Sequence, residues 1–212
     1  EIAKKSGASG KILNKLFDSV IRLDNSIRDS TEISKEFLSL GDVALNLVEE
    51  KVGLDAKKKV LLIGTGESAA MVAKTLGQKE ISFTVTSKDM QRATNFSQLL
   101  CGTPMDFVDA LSGFDKFDIV IVATTADYFL IDLERIKLVM KEKKKGTLIL
   151  DISEPRAVEE TIMELPRIKL LFRDQVAEIY EENAKLRAGI VPAVEKIIDK
   201  ELPILSASMK RV

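Results

Sequence analysis

Lys59-Val-Leu-Leu-Ile-Gly-Thr-Gly-Glu-Ser-Ala-Ala70 is the stretch of sequence that decides the fold. Its apolar run, Val60–Ile63, is continuous rather than alternating, which is typical of a parallel strand buried on both faces. The next six residues, Gly64 to Ala69, follow the pattern G-x-G-x-x-A, and the apolar spacing after them predicts a helix over 68–76. A buried strand, a tight turn and a helix in direct succession predict an α/β fold built around this unit.

Alternating strands and helices continue this pattern towards the C-terminus. Short apolar runs rich in β-branched residues predict strands at 81–86, 104–107, 117–123, 147–152 and 168–172. Helical spacing predicts helices over 90–100 and 133–142 between them. The predicted fold class is therefore α/β: a doubly wound parallel sheet (Rossmann) with right-handed crossovers, N-terminal helices and a long C-terminal helix.

The first 58 residues are predicted to be helical, with a polar connection at 28–33. A first helix follows Ser9-Gly10, and a second runs over 34–52. Each has an apolar stripe at three- and four-residue spacing, and we expect both stripes to pack into a core. The stripes consist of Ile12, Leu13, Leu16, Phe17, Val20 and Ile21, and of Phe37, Leu38, Val43, Ala44, Leu47 and Val48.

A long helix is predicted from Asp174 to about Glu201, with apolar residues close to a 3.5-residue period. At 1.5 Å per residue it would extend about 42 Å, which is longer than a domain of this size covers alone. A partner helix is the natural cover, and an antiparallel return onto the chain's own domain is the alternative. Pro192 has no N–H for the carbonyl of Ala188, so a kink is expected there.

Composition limits the classes of function. The chain has 32 basic and 33 acidic residues and a net charge of -1, so any contact with RNA must be local. The longest aliphatic run is far short of the roughly 20 residues that span a bilayer, and the N-terminus does not read as a signal peptide. We therefore expect a cytoplasmic protein without membrane contact. Because residue 1 is Glu rather than Met, we also expect the chain to be a piece of a longer protein.

Residue types for acid–base, disulfide and metal chemistry are scarce. The chain has no histidine and one cysteine, Cys101. A single thiol cannot form an internal disulfide, and without histidine the usual proton shuttle and the commonest metal ligand are missing. We predict no metal site and no catalytic residue, and we interpret Cys101 as an inert structural residue. The basic run Lys141 to Gly146 is interpreted as a solvated turn rather than an RNA-binding patch.

The turn after the first strand predicts dinucleotide binding. In such a turn the first glycine permits the tight bend, the second lets the backbone approach a pyrophosphate, and the third small residue lets helix and strand pack closely. The phosphates then lie on N–H groups at the positive end of the helix. The predicted binding residues here are Gly64, Thr65, Gly66, Glu67, Ser68 and Ala69. The alternative is a Rossmann-like fold whose turn is vacant or repurposed.

The residues after the second strand favour NADP(H) over NAD. Where an NAD site carries an acidic residue for the ribose hydroxyls, this chain has Ser87 and Lys88, a donor and a cation that suit a 2′-phosphate. If Asp89 rather than Lys88 faced the site, it would repel that phosphate. The alternative for Lys88 is a solvated cation at the start of a helix.

Two further loops follow predicted strands and so lie where ligands bind in this architecture. Thr124 and Thr125 are predicted to border the nicotinamide; alternatively, Thr125 caps a turn. Asp151 to Arg156 follows the fifth strand. There, Asp151 either borders the nicotinamide or accepts hydrogen bonds from backbone N–H groups. Arg156 could pair with a carboxylate or phosphate of a ligand, or with Glu159 or Glu160.

Taken together, these motifs resemble glutamyl-tRNA reductase, the first committed enzyme of the C5 route to tetrapyrroles. The resemblance runs over nearly all of the chain, and Gly-x-Gly-Glu followed by Asp-Ile-x-x-Pro-Arg is more specific than either motif alone. It departs from the family where Ser87-Lys88-Asp89 replaces the usual Asn-Arg-Thr/Ser and where Ser30 replaces a usual Glu. The segments that carry it are Gly7-Ala-Ser-Gly10, Leu13, Leu16-Phe17, Ile27-Arg28, Thr31, Ile33, Val60 to Ala69, Asp118-Ile-Val-Ile121, Asp151-Ile-Ser-Glu-Pro-Arg156, Glu164-Leu-Pro166, Asn183, Arg187 and Ile197-Ile198.

The resemblance implies a three-domain enzyme that uses NADPH. In the family, a cysteine of a catalytic domain attacks the ester of glutamyl-tRNA, and hydride from NADPH reduces the thioester to glutamate-1-semialdehyde. Cys101 does not match that nucleophile, and the catalytic domain is missing, so this chain is expected to bind cofactor and turn over nothing. Glutamyl-tRNA would be a partner of the full-length enzyme only.

The resemblance also implies a division of the chain. Residues 1–33 would be a connecting helix from the catalytic domain, 34–172 the NADP(H)-binding domain, and 173–212 the start of a dimerisation helix that makes a homodimer. Two other functions stay open. The chain could be a stand-alone NAD(P)-dependent dehydrogenase of another Rossmann family, acting on a small keto acid or a quinate-like substrate, or a non-catalytic dimerisation module.

Overall fold

The structure is a computed structural model that describes residues 2–31, 39–140 and 146–209. The chain divides into two compact units. The first, which we call the sheet unit, is Leu38–Tyr180. The second, the helical unit, combines Glu1–Phe37 with Glu181–Val212. Each unit is described by itself below.

The sheet unit contains six parallel strands in the order β3-β2-β1-β4-β5-β6. This is the predicted doubly wound sheet, with β1 at its centre between β2 and β4. In this register Ile63, the last residue of β1, lies beside Thr86 of β2 and Val122 of β4. The strands are β1 Val60–Ile63, β2 Phe83–Thr86, β3 Thr103–Pro104, β4 Ile119–Val122, β5 Thr147–Asp151 and β6 Ile168–Phe172.

Helices cover both faces of the sheet, so every residue of β1 and β4 is buried. One face packs against α3 and α4 through residues such as Val48, Leu62 and Val72. The other packs against α6 and α7 through residues such as Ile63 and Ile136. The helices are α3 Leu40–Val52, α4 Glu67–Gln78, α5 Met90–Leu100, α6 Phe107–Ser112 and α7 Leu133–Val139, with 3-10 turns at Phe114–Lys116 and Glu160–Glu164.

The described part of α3 begins at Leu40, and side chains define that start. The hydroxyl of Ser39 accepts a hydrogen bond from the N–H of Asp42, and the Asp42 carboxylate accepts one from the N–H of Ser39. The predicted start at residue 34, and Phe37 and Leu38 of the predicted stripe, lie outside the described residues. The remaining four residues of that stripe are buried as predicted: Val43, Ala44, Leu47 and Val48.

The prediction of a third strand over 104–107 was wrong in its extent. The strand is only two residues long, Thr103–Pro104, and α6 begins at Phe107. The reason is the Asp106 carboxylate, which accepts hydrogen bonds from the N–H groups of Val108 and Asp109 and so starts a helix. The predicted helix over 133–142 ends at Val139, and residues 141–145 lie outside the described residues.

In the helical unit, the prediction that the stripe of the first helix is core was wrong. The unit contains α1 Ile2–Lys5, α2 Lys11–Ser30 and the C-terminal part of α8 Arg173–Met209. The Lys15 ammonium donates a hydrogen bond to the carbonyl of Ser208 at 2.8 Å, so it is a polar side of α2 that meets α8. The apolar side is therefore left 44% to 59% exposed at five of the six stripe residues, Ile12, Leu13, Phe17, Val20 and Ile21, whereas Leu16 is half-buried.

The helix α8 is longer than predicted, with 37 residues that include Pro192 and Pro203. Because α2 lies beside its C-terminal part, the chain supplies some of the cover that this helix needs. The kink at Pro192 stays a prediction. Among residues 2–31, 39–140 and 146–209, no helix has the length and apolar composition needed to cross a bilayer.

Candidate functional site

Gly64 makes the turn that follows β1. Its φ is +124°, a backbone conformation that residues with a Cβ rarely adopt. Its N–H donates a hydrogen bond to the carbonyl of Thr86 at 2.9 Å. A Cβ at Gly64 would lie 1.9 Å from the carbonyl oxygen of Ala123. Only glycine therefore lets the carboxyl ends of β1, β2 and β4 come together at this point.

The start of α4 is left open. Its N-cap is Gly66, which has no side chain to accept the first N–H groups of the helix, and a Cβ there would meet no heavy atom within 4 Å. The four helices α3, α5, α6 and α7 each begin at a side chain that accepts such bonds: Ser39, Asp89, Asp106 and Asp132. Within the described residues, α4 is thus the one of these five helices whose first turn leaves its N–H groups and positive dipole end to an external partner.

A cavity of about 320 Å³ lies at the carboxyl ends of β1, β2 and β4. Five of the ten predicted binding residues line it together: Gly64, Ser87, Lys88, Thr124 and Thr125. The other five, Thr65, Gly66, Glu67, Ser68 and Ala69, do not line the cavity; they continue from Gly64 into α4. Ala69 is buried where α4 packs on the sheet, which is the close packing predicted for the third small residue.

Lys88, rather than Asp89, lines this cavity. The Asp89 carboxylate caps α5 and accepts hydrogen bonds from the N–H groups of Gln91 at 2.9 Å and Arg92 at 3.3 Å. The Lys88 ammonium lies 4.5 Å from the centre of the Tyr128 ring. At the end of β2 the cavity is therefore lined by the cation Lys88 and not by Asp89, although Asp127, in the loop after β4, also lines it.

Sequence reasoning missed two aromatic residues that line the cavity, Phe107 and Tyr128. Tyr128 could have been found, because it lies in the loop after β4 and loops at the carboxyl edge of the sheet surround ligands. Phe107 was placed at the end of a strand, and its position depends on the short helix α6. The buried hydroxyl of Thr86, at the end of β2, has no hydrogen-bond partner within the described residues.

Asp151 has a structural role, as one of the two sequence interpretations proposed. Its carboxylate is fully buried and accepts hydrogen bonds from the N–H groups of Ser153, Ala157 and Val158, at 2.8 to 2.9 Å. The hydroxyl of Ser153 accepts a bond from the N–H of Thr124 at 3.2 Å. This network fixes the loop after β5 and connects it to the loop after β4.

Arg156 pairs with protein carboxylates. Its guanidinium donates to Asp174 at 2.6 Å and to Glu160 at 3.0 Å, and it lies over the ring of Phe172. The hydrogen bond to Asp174 is the largest cause that raises the pKa of Arg156; burial acts against it, and the charges of the two carboxylates add to the increase. Because Asp174 is in the first turn of α8, these pairs attach the loop after β5 to that helix.

Cys101 lies away from the cavity. It caps the C-terminus of α5 in a left-handed conformation, with φ of 59°, and its side chain is exposed. It is not among the residues that line the cavity. That the thiol is inert stays a prediction.

Comparison with known proteins agrees with this geometry. The chain is 42% identical over 210 residues to a glutamyl-tRNA reductase of Cenarchaeum symbiosum, covering 99% of this chain and 50% of the relative. It matches the solved glutamyl-tRNA reductase of Methanopyrus kandleri with a TM-score of 0.77 and 28% identity, covering 99% of this chain and 53% of that one. The chain thus spans about half the length of the curated relatives it matches.

A second solved structure, the nucleotide-binding domain of glutamyl-tRNA reductase from Thermoplasma volcanium, shares the fold. Its TM-score is 0.55 at 20% identity, over 71% of this chain and 97% of that one. Residues 46–179 match the family described as Shikimate / quinate 5-dehydrogenase, whose Rossmann fold is of the kind that takes a nicotinamide cofactor. The chain therefore belongs to this dehydrogenase family through its sheet unit, and over 99% of its length it is a homologue of glutamyl-tRNA reductases.

Proposed function

We propose that the chain is the NADP(H)-binding part of a glutamyl-tRNA reductase. The parent enzyme would be an oxidoreductase that reduces glutamyl-tRNA to glutamate-1-semialdehyde through a cysteine thioester, in tetrapyrrole (porphyrin) biosynthesis. Support comes from the relatives named above and from the site at the carboxyl edge of the sheet. We also propose that the parent enzyme is cytoplasmic.

The open start of α4 is the observation that carries the proposal. Four neighbouring helices use their own side chains to cap the first turn, whereas α4 begins at Gly66 with free space where a Cβ would stand. Backbone N–H groups and a positive dipole end aimed into free space form a site for a phosphate or pyrophosphate. The tight turn at Gly64 brings this helix start to the edge of the cavity.

The residues present fit NADP(H). The turn from Gly64 to Ala69 would hold the pyrophosphate, Ser87 and Lys88 the 2′-phosphate, and Thr124 and Thr125 the nicotinamide half. Thr86 supplies a buried hydroxyl with no partner within the described residues, which a bound ligand or water would satisfy. When bound, NADPH supplies hydride. The protein's own part is to orient the cofactor and to stabilise its phosphates.

Catalysis is proposed to need residues that this chain does not carry. Cys101 lies outside the cavity, and the sequence has no histidine. We therefore expect the chain to bind NADPH without reducing glutamyl-tRNA, which would be a partner of the full-length enzyme only. Detection of reductase activity by the isolated chain would contradict this expectation.

We also propose the division into a connecting helix at 1–33, an NADP(H)-binding domain at 34–172 and the start of a dimerisation helix at 173–212, with a homodimer formed through that helix. Exposed apolar residues on α8, namely Val191, Ile198 and Leu202, support this. Sedimentation of the chain with and without residues 181–212 tests it. Unchanged self-association after the deletion would contradict the role of the helix.

Titration with NADPH tests cofactor binding. We expect the wild-type chain to bind in the micromolar range or more weakly, and Gly66→Asp to lose at least about tenfold in affinity, because it places a carboxylate at an anion site. Gly77→Asp is the matched control, since it makes the same substitution on the same helix, at a position that is also open. Lys88→Glu should weaken NADPH more than NADH. Absence of binding by the wild-type chain would refute the proposed cofactor.

A second candidate is a stand-alone dehydrogenase, favoured by the family that residues 46–179 match. The solved shikimate and quinate dehydrogenases that share the fold are only 15% identical to this chain, so they support the fold alone. Oxidation of shikimate or quinate by the isolated chain, with reduction of NAD or NADP, would establish this candidate. We expect none.

A further inference from the structure

Lys88 is held by an aromatic ring at the edge of the cavity. Its ammonium lies 4.5 Å from the centre of the Tyr128 ring, within the distance at which a cation is attracted to the face of an aromatic ring. Both side chains line the same cavity, together with Ser87. Lysine has a flexible four-carbon side chain, so a contact that restricts it also decides where its charge is found.

Tyr128 lies on a loop whose backbone is hydrogen-bonded both before and after this residue in the sequence. On one side, the N–H of Thr124 donates to the hydroxyl of Ser153 at 3.2 Å. On the other, the N–H of Leu130 donates to the carbonyl of Ala157 at 2.7 Å. The residue as a whole is 44% exposed and lines the cavity, while its backbone is fixed on both sides.

We infer that Tyr128 is a positioning residue for Lys88 and thereby determines selectivity for a nucleotide with a 2′-phosphate. This inference rests on the proposed function. The ring occupies one side of the ammonium. Because an ammonium has three N–H donors, those that do not face the ring remain available to phosphate oxygens. Holding the lysine in place before the ligand arrives lowers the entropy lost when the phosphate binds.

The two nicotinamide dinucleotides separate this role from direct contact with the ligand. NADPH and NADH share the adenine, both riboses and the pyrophosphate, and differ in the 2′-phosphate. A residue that stacks on the adenine affects both affinities equally. A residue that acts through Lys88 affects NADPH and leaves NADH unchanged.

The experiment measures the affinity of the chain for NADPH and NADH in a double-mutant cycle. Tyr128→Leu should weaken NADPH about two- to fivefold, which lies within the range expected for the entropy of immobilising one flexible side chain on binding, and leave NADH unchanged. Tyr128→Phe keeps the ring and should bind like the wild type. In a Lys88→Met background, Tyr128→Leu should have no further effect on NADPH.

Three results would overturn the inference while leaving the proposed function intact. These are an equal loss for both nucleotides, a loss that persists in the Lys88→Met background, and a gain in NADPH affinity, which would mean that ring and phosphate compete for the lysine. If the wild-type chain binds neither nucleotide, the proposed function fails and this inference fails with it.

A second measurement does not depend on nucleotide binding. The chain has only two tyrosines, Tyr128 and Tyr180, so a Tyr180→Phe variant with labelled tyrosine gives ring signals from Tyr128 alone. Lys88→Met should shift these signals, whereas Lys79→Met, which removes a lysine paired with Glu49, should not. Unchanged Tyr128 signals in Lys88→Met would show that the contact is absent and would overturn the inference.

Discussion

Two loops at the same edge of the sheet use their polar groups in opposite ways. The turn after β1 leaves the first N–H groups of α4 without a side-chain cap. The loop after β5 uses its polar groups internally: Asp151 accepts three backbone N–H groups, and Arg156 pairs with two carboxylates. We call them the open loop, Gly64 to Ala69, and the closed loop, Asp151 to Arg156.

The difference shows how to separate a binding motif from a structural one. Both loops carry a recognisable sequence pattern, and both follow a buried parallel strand. Buried polar groups are almost always paired, so a loop whose groups are all paired inside the protein has little left for a ligand. A loop whose donors face free space has them available. Substitutions in the two loops should therefore affect stability and nucleotide binding differently.

The largest effect is expected at Gly64, where the open loop meets the backbone just after β4. Gly64→Ala places a Cβ 1.9 Å from the backbone of Ala123, at a residue whose φ is +124°. Because β1 and β4 are paired, neither backbone segment can move away without separating these two strands. We expect a loss of about 4 kcal/mol in the free energy of unfolding. Urea denaturation measures it, with Gly66→Ala, which meets free space, as the control. Equal stability of the two variants would contradict the geometry.

The next effect is expected in the closed loop. Asp151→Ala leaves three buried backbone N–H groups unpaired, which should lower the free energy of unfolding by about 3 kcal/mol. The control is Asp106→Ala, which removes an exposed carboxylate that accepts two N–H groups at the start of α6 and should cost about 1 kcal/mol. If Asp151→Ala were as stable as this control, the closed loop would not be structural.

The open loop could be read from sequence because its determinants are local. The apolar run Val60–Ile63 and the glycines after it lie within ten residues, and each imposes its own backbone requirement. The doubly wound parallel sheet was predicted from the alternation of strands and helices, whereas the order of its strands was not. The closed loop was ambiguous, because only the fold shows that the donors to Asp151 come from the backbone of Ser153, Ala157 and Val158.

Features that depend on tertiary contacts could not be predicted. The stripe of α2 has the spacing of a core helix, yet periodicity does not reveal whether the chain itself supplies a partner surface, and here Phe17 remains 59% exposed. Phe107 joins the cavity from a segment that is distant in sequence from Gly64 and depends on the short helix α6. A short helix such as α6 depends on a single cap, Asp106, which strand propensity at 104–107 concealed.

The helix α3, whose start is capped by side chains, should lose stability at acid pH, in contrast to the uncapped start of α4. Partial burial of Asp42 acts to raise the pKa of its carboxyl, but hydrogen bonds from Ser39 and Thr75 and the charge of Lys79 outweigh it, so this pKa lies below its usual value. Because the pKa is lower in the folded state, the stabilisation is complete above the ordinary value of 3.8 and is lost as the pH falls through the folded-state pKa.

Asp42→Asn tests this linkage. At neutral pH the variant should lose about 1 kcal/mol in the free energy of unfolding, as expected for a weakened helix cap. Below about pH 4 the difference from the wild type should shrink, since the wild-type carboxyl is then protonated. Chemical denaturation across this pH range measures it. A difference that grows with acidity would contradict the direction of the pKa shift.

The smallest change in stability should come from giving α4 the cap that it lacks. Gly66→Ser adds a hydroxyl at an N-cap with extended backbone and free space around it, so the free energy of unfolding should rise by a few tenths of a kcal/mol. The same hydroxyl would accept the N–H groups proposed to bind the pyrophosphate, so NADPH affinity should fall. The affinity for NADPH then falls while the free energy of unfolding rises. No substitution in the closed loop should change these two quantities in opposite directions. If Gly66→Ser stabilised the fold and bound NADPH as the wild type does, the open start of α4 would not be the phosphate site.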